Sequence, residues 1–539
     1  MQIYLIDGYL DEPSCLGVPP YISPHIRYVW GAARATGIRE KNLNYITIDT
    51  LRADRERCLE EMESADAVIL IAGTTVPGNY LGGQPASLAE IMELGRKLKQ
   101  PEKILGGPVT LVKSKFKGFD HICDEIAARD IHWLLTGEKI TTPEEIKEHI
   151  SHWAIWGASV TRQHPDHPHL ICEIETFRGC PRAGHCRFCS EQLKRIHYHR
   201  HPEDITREVK ALAKTGNHNF RLGCQTDLLA YNHRRSPSGE IVPNPRAIEQ
   251  LYHGIREADP ALRVLHMDNI NPATIVRREA ESRRALEIIT TYNTTGDTAA
   301  FGLESADPQV IRANNIEAGP ETTLRAIEIL NEIGGFRRQG IPVLLPGINF
   351  LHGLHGEREE TMDHNYRFLQ NILDRNLLLR RINIRQVMPV TGFTTVDIDK
   401  QKFKDYKKKV NKEINQPLLK RVFPTGTIIP HIRTETREGK TTFGRPHGTY
   451  PILVGIPGEL ETGQYIDVRV IDHGYRSVTA LPWPLKINQA SVEQLTTFPG
   501  IGKKRAHSIF LKQPQTMGKL RKILGTEFPF SRWQDWFRF

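Results

Sequence analysis

Three of the eight cysteines lie within ten positions of one another, in the stretch RGCPRAGHCRFCSEQL at residues 178–193. Cys180, Cys186 and Cys189 follow the spacing C-x5-C-x2-C. The sequence begins without a basic leader and has no apolar run of the ~20 residues that a membrane helix needs, which predicts a cytoplasmic protein. Thiols stay reduced in that compartment, so clustered cysteines indicate metal binding or catalysis rather than disulfides.

Two kinds of metal site are compatible with three clustered thiols. A structural zinc site takes four Cys or His ligands, and the available fourth ligand, His185, directly adjoins Cys186. A [4Fe–4S] cluster has four irons, so three thiolates leave one iron open to a substrate or cofactor. Phe188, between the last two cysteines, could shield such a cluster. We favour the cluster, with zinc or inert thiols as the alternatives.

The cysteine loop resembles that of radical S-adenosylmethionine (SAM) enzymes, whose commonest spacing is C-x3-C-x2-C with an aromatic residue before the last cysteine. Two extra residues separate the first two cysteines here. GLESADPQVI at 302–311 resembles the GxES…VI pattern of that superfamily, and FLHGLHGEREET at 350–361 resembles its G-x-P-G-E-T segment. The resemblance covers roughly residues 165–395. It implies a [4Fe–4S] cluster, SAM, a low-potential electron donor and release of a 5′-deoxyadenosyl radical.

The same resemblance implies which residues contact SAM. Glu304 and Ser305 follow the fourth strand, and Asn349 ends a strand where a ribose or methionine contact is expected. The usual GGE motif that holds the SAM amino group is replaced by LGCQTD, so Gln225 or Asp227 would take that role. The neighbouring Cys224 is a candidate catalytic residue, with a buried structural thiol as the alternative.

The elements around these residues predict an α/β chain with a partial or complete (β/α) barrel over residues 151–400. Six strand-like runs alternate with amphipathic stretches, and a polar residue ends nearly every run: HLICEIET, NFRLGC, RVLHMD, AAFGLES, IPVLLPGINF and RINIRQ. In such barrels the chemistry lies at the carboxyl ends of the strands. The cysteines directly follow the first of these runs, at the expected mouth.

Residues 1–150 show the β-α-β alternation of a Rossmann-like domain. The segments LGVPPYISPHIRYVWGAARATG and ILGGPVT resemble the cobalamin-binding-like domain that precedes many radical SAM barrels. There is no D-x-H-x-x-G segment whose histidine could ligate cobalt. Two alternatives therefore remain for this domain: it binds cobalamin without such a ligand, or it serves to dock the substrate. A further alternative is that this domain holds a second cluster, with Cys15, Cys58 and Cys123 as its ligands.

The C-terminal region predicts two small modules after a basic linker at 401–440. Short alternating strands at 441–484 indicate an OB-like β-barrel that resembles the TRAM type of RNA-modifying enzymes. Residues 485–539 contain INQASVEQLTTFPGIGKKRAHSI, which resembles a helix-hairpin-helix motif. We expect Gly500 and Gly502 to bring backbone N–H groups to a phosphate, and Lys503, Lys504 and Arg505 to add charge at the start of the second helix.

The charge distribution agrees with a polyanionic partner. The net charge of +9 divides into +13 over residues 401–539 and −4 over the first 400 residues. The domain order resembles archaeal radical SAM iron–sulfur proteins with a C-terminal helix-hairpin-helix. We therefore expect a radical SAM enzyme that methylates or methylthiolates RNA, most plausibly tRNA. The alternatives are action on DNA or a small metabolite, and a nucleic-acid-binding protein with a structural or redox-sensing cluster.

Overall fold

The N-terminal domain is a parallel sheet covered by helices on both faces. The computed structural model describes all residues except 13–14, 17, 74–81, 112–115 and 389–391. For residues 11, 12, 15 and 16 it describes the backbone and not the side chains. The elements are β1 (Ile3–Asp7), β2 (Tyr21–Ile22), α1 (Pro24–Ala35), β3 (Leu43–Thr47), α2 (Ile48–Ala53), α3 (Arg55–Glu63), β4 (Ala67–Ile71), α4 (Leu88–Lys97), β5 (Glu102–Gly106), β6 (His121–Ile122), α5 (Ala127–Thr136) and α6 (Pro143–Gly157).

The strand order β3-β1-β4-β5-β6 makes this domain flavodoxin-like. Its central strands IYLID and AVILI are buried along their whole length, as expected for parallel strands that have helices on both faces. The order reverses between β1 and β4, which is where ligands bind in such sheets. The loops after these two strands include residues outside the described part of the chain.

The central domain is a partial (β/α) barrel. Its elements are β7 (Ile171–Glu175), α7 (Pro202–Lys214), β8 (Asn219–Gly223), α8 (Pro245–Ala258), β9 (Val264–Met267), α9 (Pro272–Arg277), α10 (Glu279–Tyr292), β10 (Asp297–Glu304), α11 (Pro308–Ala313), α12 (Pro320–Gly334), β11 (Leu344–His352), α13 (Thr361–Asp374), β12 (Arg381–Gln386), α14 (Lys400–Val410) and α15 (Gln416–Val422). All six predicted strands are present.

These strands form one parallel curved sheet in the order β2-β7-β8-β9-β10-β11-β12. A single bridge between Asn269 and Ala300 joins β9 to β10. The edge strand β2 comes from the N-terminal segment, so the first domain contributes directly to the barrel wall. Among the described residues no ladder joins β2 to β12, and the barrel is open at that seam.

The first two domains share one hydrophobic core, which runs from one face of the N-terminal sheet through α1 and α6 into the barrel. Helices α1 and α6 cross at two glycines. A Cβ atom on Gly31 would lie 1.9 Å from the Trp153 carbonyl oxygen, and one on Gly157 would lie 1.9 Å from the Arg27 carbonyl oxygen. The backbones therefore touch, and this contact fixes how α1 and α6 pack against each other within the N-terminal domain.

The predicted basic linker at 401–440 is instead ordered secondary structure. Residues 400–410 form α14, which follows β12 and packs on the barrel. Its lysines face outward, whereas Tyr406 and Val410 are buried. Residues 428–438 form the first strand of the next domain. The many lysines led to the prediction of a linker, although the segment is an amphipathic helix. Three apolar positions are sufficient to anchor one exposed helix.

The third domain is a closed five-stranded barrel. Its strands are β13 (Ile428–Glu438), β14 (Thr441–Pro446), β15 (Leu453–Pro457), β16 (Tyr465–His473) and β17 (Ser477–Pro482). The order β13-β14-β15-β17-β16 closes through the pair β16–β13, and β15 runs parallel to β17. This Greek-key arrangement agrees with the predicted OB-like barrel, although the first strand begins 13 residues before residue 441.

The last domain is a small helical module. It contains β18 (Leu485–Lys486), α16 (Val492–Thr496), α17 (Lys503–Lys512), α18 (Met517–Leu524), α19 (Phe530–Trp533) and β19 (Phe537–Arg538). Strands β18 and β19 pair in parallel, and Trp533, Trp536 and Phe537 fill the core. No described helix is both long and apolar enough to span a bilayer.

Candidate active site

The three predicted cysteines line one open cavity of about 180 Å³ at the carboxyl ends of the barrel strands. The loop that carries them follows β7, and the opposite wall comes from the ends of β9, β10 and β11. The predicted residues that line this cavity are Cys180, Cys186, Phe188, Cys189, Asp227, Glu304 and Asn349. The barrel mouth therefore brings together seven side chains from four separate segments of the sequence.

The donor set fits a multi-iron cluster better than a single ion. Three thiols share the cavity, yet among the described residues no three Cys, His, Asp or Glu side chains are placed to hold one metal ion. Ligands of one zinc converge on a point, whereas cluster ligands bind separate irons. Burial raises the pKa of Cys186 to about 11 and also raises the pKa values of Cys180 and Cys189. Bound iron would supply the positive charge that keeps these sulfurs ionised.

Arg182, from the extended part of the cysteine loop, contacts one of the three predicted cluster ligands directly. Its Nη1 lies 3.1 Å from the Cys186 Sγ, and this cation opposes the rise in the pKa of that thiol. Its Nε forms an ion pair of 2.9 Å with Glu317 Oε2, and both side chains are mostly buried. The Asn271 side-chain amide donates to the same carboxylate at 2.7 Å. Arg182 is thus fixed in orientation before any cluster binds.

Phe188 packs at the edge of the cysteine loop as predicted for a shield. Its ring lies 6.4 Å from that of Phe393 in an edge-on contact, and Phe393 stacks on His355 at 4.5 Å. His355 comes from the segment FLHGLHGEREET. The side of the cavity beyond the last two cysteines is therefore lined by aromatic rings, while the three cysteines stay partly exposed.

Glu304 and Asn349 form the wall opposite the cysteines. Glu304 has φ +62°, a left-handed conformation that is rare outside glycine, at a register shift between β10 and β11. Burial raises the pKa of Glu304 to about 8. Asn349 accepts a hydrogen bond of 3.2 Å from the Asn383 side chain. The strained backbone turns the Glu304 carboxyl toward the cavity, a placement typical of functional positions.

Asp227 and Gln225, the alternatives for the amino-group contact, differ in their placement. Asp227 lines the cavity, but its Oδ2 accepts from the Thr274 hydroxyl at 2.7 Å and its Oδ1 accepts from the Leu229 amide at 3.1 Å. Burial raises the pKa of Asp227 to about 7. Gln225 is buried behind the wall and donates to the Leu222 carbonyl at 3.1 Å. Of the two, only Asp227 borders the cavity.

Ser305 and Cys224 lie outside the cavity lining. Ser305 is fully buried, and its hydroxyl accepts from the Asp307 amide at 3.1 Å, next to the start of α11. Cys224 has φ +58° and belongs to the main hydrophobic core. The structure therefore places both residues in supporting positions, one shell behind the surface that a ligand would touch.

Comparisons with known proteins give this site its family. Residues 174–369 match the Radical SAM superfamily. An uncharacterized protein of Archaeoglobus fulgidus is 41% identical over 95% of this chain and 96% of its own length. An uncharacterized protein of Methanocaldococcus jannaschii is 43% identical over 88% of this chain and 92% of its own length. The chain belongs to a family of archaeal radical SAM enzymes. Its cofactors are accordingly a [4Fe–4S] cluster and SAM.

Two solved structures are similar at low identity. The radical SAM methyltransferase TsrM from Kitasatospora setae, with cobalamin and a [4Fe–4S] cluster bound, has a TM-score of 0.44 at 13% identity, over 72% of this chain and 75% of its own. The cobalamin-dependent radical enzyme OxsB, with aqua-cobalamin and SAM bound, has a TM-score of 0.45 at 12% identity, over 76% of this chain and 55% of its own.

Several residues that line the mouth of the radical SAM enzyme were missed by sequence reasoning. They are Arg182, Thr226, Asn269, Asn271 and Glu317. Asn269 and Asn271 belong to the run MDNINP, whose polar residues after a buried strand were a detectable signal. Glu317 follows α11 with no strand before it. Nothing local in the sequence indicates that Glu317 reaches the cysteine loop.

Ligands of such a sheet bind at the carboxyl ends of its strands. The loops after β1, β4 and β5 each include residues outside the described part of the chain, so cobalamin stays a prediction for the radical SAM enzyme. The carboxyl edge of the N-terminal sheet faces the barrel mouth, where Arg178 Nη2 donates to the Glu125 carbonyl at 3.1 Å. A small cavity of about 20 Å³ lies between these edges, beside His25 and Lys194. Cys58 and Cys123 lie in cores on opposite faces of the sheet, and the Cys15 side chain lies outside the described residues.

The predicted phosphate-binding hairpin has a suitable backbone. Gly500 has φ +92°, and Gly502 is the N-cap of α17 without a side-chain cap. Arg505 donates to the Gly500 carbonyl at 2.9 Å, which ties the helix back onto the turn. Lys503 and Lys504 are exposed, and within the described chain neither ammonium group contacts a carboxylate. The first turn of α17 thus presents free backbone amides and two uncompensated charges.

Proposed function

We propose that this radical SAM enzyme adds a methyl or methylthio group to an unreactive carbon of RNA, with tRNA the expected class. The cluster and SAM, when bound, supply a 5′-deoxyadenosyl radical that can activate a C–H bond. The chain itself holds the cluster through Cys180, Cys186 and Cys189. Glu304 and Asn349 would orient SAM, and the aromatic wall at Phe188 would keep water out.

One observation carries the RNA assignment, namely the exposed hairpin of the last domain. Helix N-termini with free amides bind phosphate, and flanking lysines add salt-dependent affinity. The turn at Gly500 leaves those amides uncovered, and Lys503 and Lys504 have no acidic partner within the described chain. The OB-like barrel beside it is a fold that often binds oligonucleotides. Residues 428–539, which form the two modules, have a net charge of +7 out of +9 for the whole protein.

The position of these modules restricts the substrate. The OB-like barrel packs against the strand beginnings of the radical SAM barrel, where Arg380 donates to the Tyr450 carbonyl at 2.9 Å and Arg433 pairs with Asp166 at 3.2 Å. The cysteines lie at the strand ends. With β11 spanning nine residues, the two ends are separated by about 30 Å at ~3.3 Å per residue. An RNA held by the hairpin must extend at least this far to reach the mouth.

The experiment compares binding with modification on RNAs of two lengths. Anaerobically reconstituted enzyme is incubated with SAM, dithionite and either total tRNA or a four-nucleotide fragment, and modified nucleosides are measured by mass spectrometry. We expect both RNAs to bind and only the long RNA to be modified. The double variant Lys503→Gln/Lys504→Gln should weaken the binding of both RNAs. The dependence of their affinity on salt concentration should fall by the equivalent of about two phosphate contacts.

A small metabolite is the second candidate, because the basic modules lie at the far end of the barrel from the cysteines. The same experiment separates the candidates. If 5′-deoxyadenosine forms without RNA and the Lys503→Gln/Lys504→Gln variant is fully active, the RNA assignment is wrong and the metabolite assignment stands. If a fully loaded cluster yields no 5′-deoxyadenosine with any RNA, the binding-protein alternative takes precedence.

A further inference from the structure

A second cavity, larger than the one at the cysteines, lies between the radical SAM barrel and the OB-like barrel. We call it the basal cavity. Its volume is about 570 Å³. One wall consists of the beginnings of barrel strands, including Asn219, Val264 and Gly296, and the other consists of the β13 and β14–β15 regions of the OB-like barrel. It therefore opens at the end of the barrel opposite the mouth and takes no part in the proposed radical chemistry.

The lining of the basal cavity is basic. It contains two arginines and three histidines and no aspartate or glutamate; the five are Arg263, His266, Arg380, His431 and His447. Three carboxylates lie close behind the wall. Asp467 Oδ1 accepts from the His431 backbone amide at 2.9 Å, Asp297 Oδ1 lies 3.6 Å from His266 Nδ1, and Asp166 pairs with Arg433 at 3.2 Å. Burial lowers the pKa of His266 to about 4 and that of His447 to about 3, so the positive charge is that of the arginines.

Arg380 is the most informative of these residues. Its guanidinium donates to the Tyr450 carbonyl at 2.9 Å and lies 5.3 Å from the centre of the Phe423 ring. Among the described residues it forms no ion pair, and the neighbouring residue is another arginine, Arg381. Burial and Arg381 lower the pKa of Arg380 to about 10, and it remains charged at neutral pH. A half-buried guanidinium without a counter-ion is less stable than one whose charge an anion neutralises.

The remaining lining shows what that anion must carry. Ile341, Phe423, Ile429, Ile452 and Pro451 form an apolar floor next to the arginines. Small-molecule sites range over about 300–1,000 Å³ and combine an apolar lining with a few polar groups. Guanidinium groups match the geometry of phosphate oxygens. A bare inorganic ion would leave the apolar floor unfilled.

We propose that the basal cavity binds a small organic phosphate with an aromatic body, of the size of a mononucleotide, through Arg263 and Arg380. This site is independent of the proposed RNA modification and of the SAM site. The cavity lies between the two barrels, so a bound ligand would stabilise the interface between them.

The test uses uridine 5′-monophosphate as the probe, with uridine and inorganic phosphate as matched controls. Uridine 5′-monophosphate lacks the adenine and sulfonium groups of SAM. Calorimetric titration of the intact, cluster-loaded enzyme should show binding of the nucleotide at least tenfold tighter than that of either control. Arg263→Gln and Arg380→Gln should each weaken binding at least tenfold. Arg437→Gln removes an exposed charge of β13 outside the cavity and should leave binding unchanged.

Two outcomes would overturn the proposal. One is absence of nucleotide binding at millimolar concentration by wild-type enzyme. The other is binding that is equal in wild type, Arg263→Gln and Arg380→Gln, which would place the nucleotide elsewhere. If Arg380→Gln does not fold, Arg263→Gln decides alone, because Arg263 is exposed and its guanidinium forms no hydrogen bond or ion pair with another described side chain.

Discussion

Replacing Arg182 by methionine should lower the midpoint potential of the cluster. The Arg182 Nη1 lies 3.1 Å from the Cys186 Sγ, and its Nε is held 2.9 Å from Glu317. The reduced cluster carries one more negative charge than the oxidised cluster. A cationic donor at a ligating sulfur therefore stabilises the reduced state more, and its loss makes reduction harder.

The magnitude follows from the geometry. A hydrogen bond to a charged group contributes about 1.5–3 kcal/mol. For a one-electron couple, in which a tenfold change in equilibrium constant is 59 mV, this range corresponds to about 65–130 mV. Glu317 neutralises part of the Arg182 charge, and the oxidised cluster also retains part of the interaction. We therefore expect a fall close to the lower figure.

The assay is a redox titration of anaerobically reconstituted protein, monitored by the electron paramagnetic resonance signal of the reduced cluster. Arg187→Met is the matched control, because Arg187 is an exposed residue of the same loop and only its backbone forms hydrogen bonds. Its amide donates to the Asn314 carbonyl at 3.0 Å, and its carbonyl accepts from the Gln192 side chain at 2.9 Å. Iron content is measured in each variant. An unchanged potential in a fully loaded Arg182→Met variant, or an equal fall in Arg187→Met, would refute a specific role for the Arg182–Cys186 contact.

Two further predictions concern stability. Glu208 pairs with both Arg27 and Arg200 at zero exposure, so Glu208→Gln should destabilise the protein by about 3–5 kcal/mol, measured by urea unfolding at equal cluster loading. Gly31→Ala would place a methyl group 1.9 Å from the Trp153 carbonyl oxygen, and it should cost at least about 1–3 kcal/mol in thermal unfolding. An unchanged unfolding midpoint in Glu208→Gln would show that its ion pairs do not hold the first two domains together. An unchanged midpoint in Gly31→Ala would show that the close contact of α1 with α6 does not stabilise the N-terminal domain.

The fold of the first 400 residues was largely predictable because parallel strands are short buried runs. The strands IYLID, AVILI and NFRLG are each buried at every position, and turns or amphipathic helices separate such runs. The helix α14 was missed for the opposite reason. Its sequence KQKFKDYKKKV has few apolar residues, and only packing against β11, where Phe403 and Tyr406 flank His352, identifies the helix as part of the barrel.

The candidate site was predictable where spacing alone defines the chemistry and less so elsewhere. Three cysteines within ten residues need no tertiary information. By contrast, carboxylates and hydroxyls after strands serve both as ligands and as helix caps. Asp227 and Ser305 illustrate this ambiguity, because each accepts a hydrogen bond from a backbone amide two residues later. Glu317 reaches Arg182 across 135 residues, a contact that no local pattern encodes.

The two ends of the radical SAM barrel are separated by one layer of charged and aromatic side chains. Arg221 pairs with both Glu173 and Asp268 at the centre of the barrel, and the Tyr450 hydroxyl donates to Asp268 at 2.8 Å. Arg381 covers the Tyr450 ring at 3.6 Å. Tyr450 is a residue of the OB-like barrel, so this layer is completed by the domain that also bounds the basal cavity.

This layer limits how the two ends can influence each other. Asp268 directly precedes Asn269, which lines the mouth, and Tyr450 directly follows Thr449, which lines the basal cavity. A displacement of Tyr450 by an occupant of the basal cavity would remove a hydrogen bond from the buried Asp268 carboxylate. The backbone at Asn269 would then lose part of its support, because Asp268 and Ala300 join β9 to β10 there. Coupling between the two cavities therefore has a short physical route through Tyr450 and Asp268.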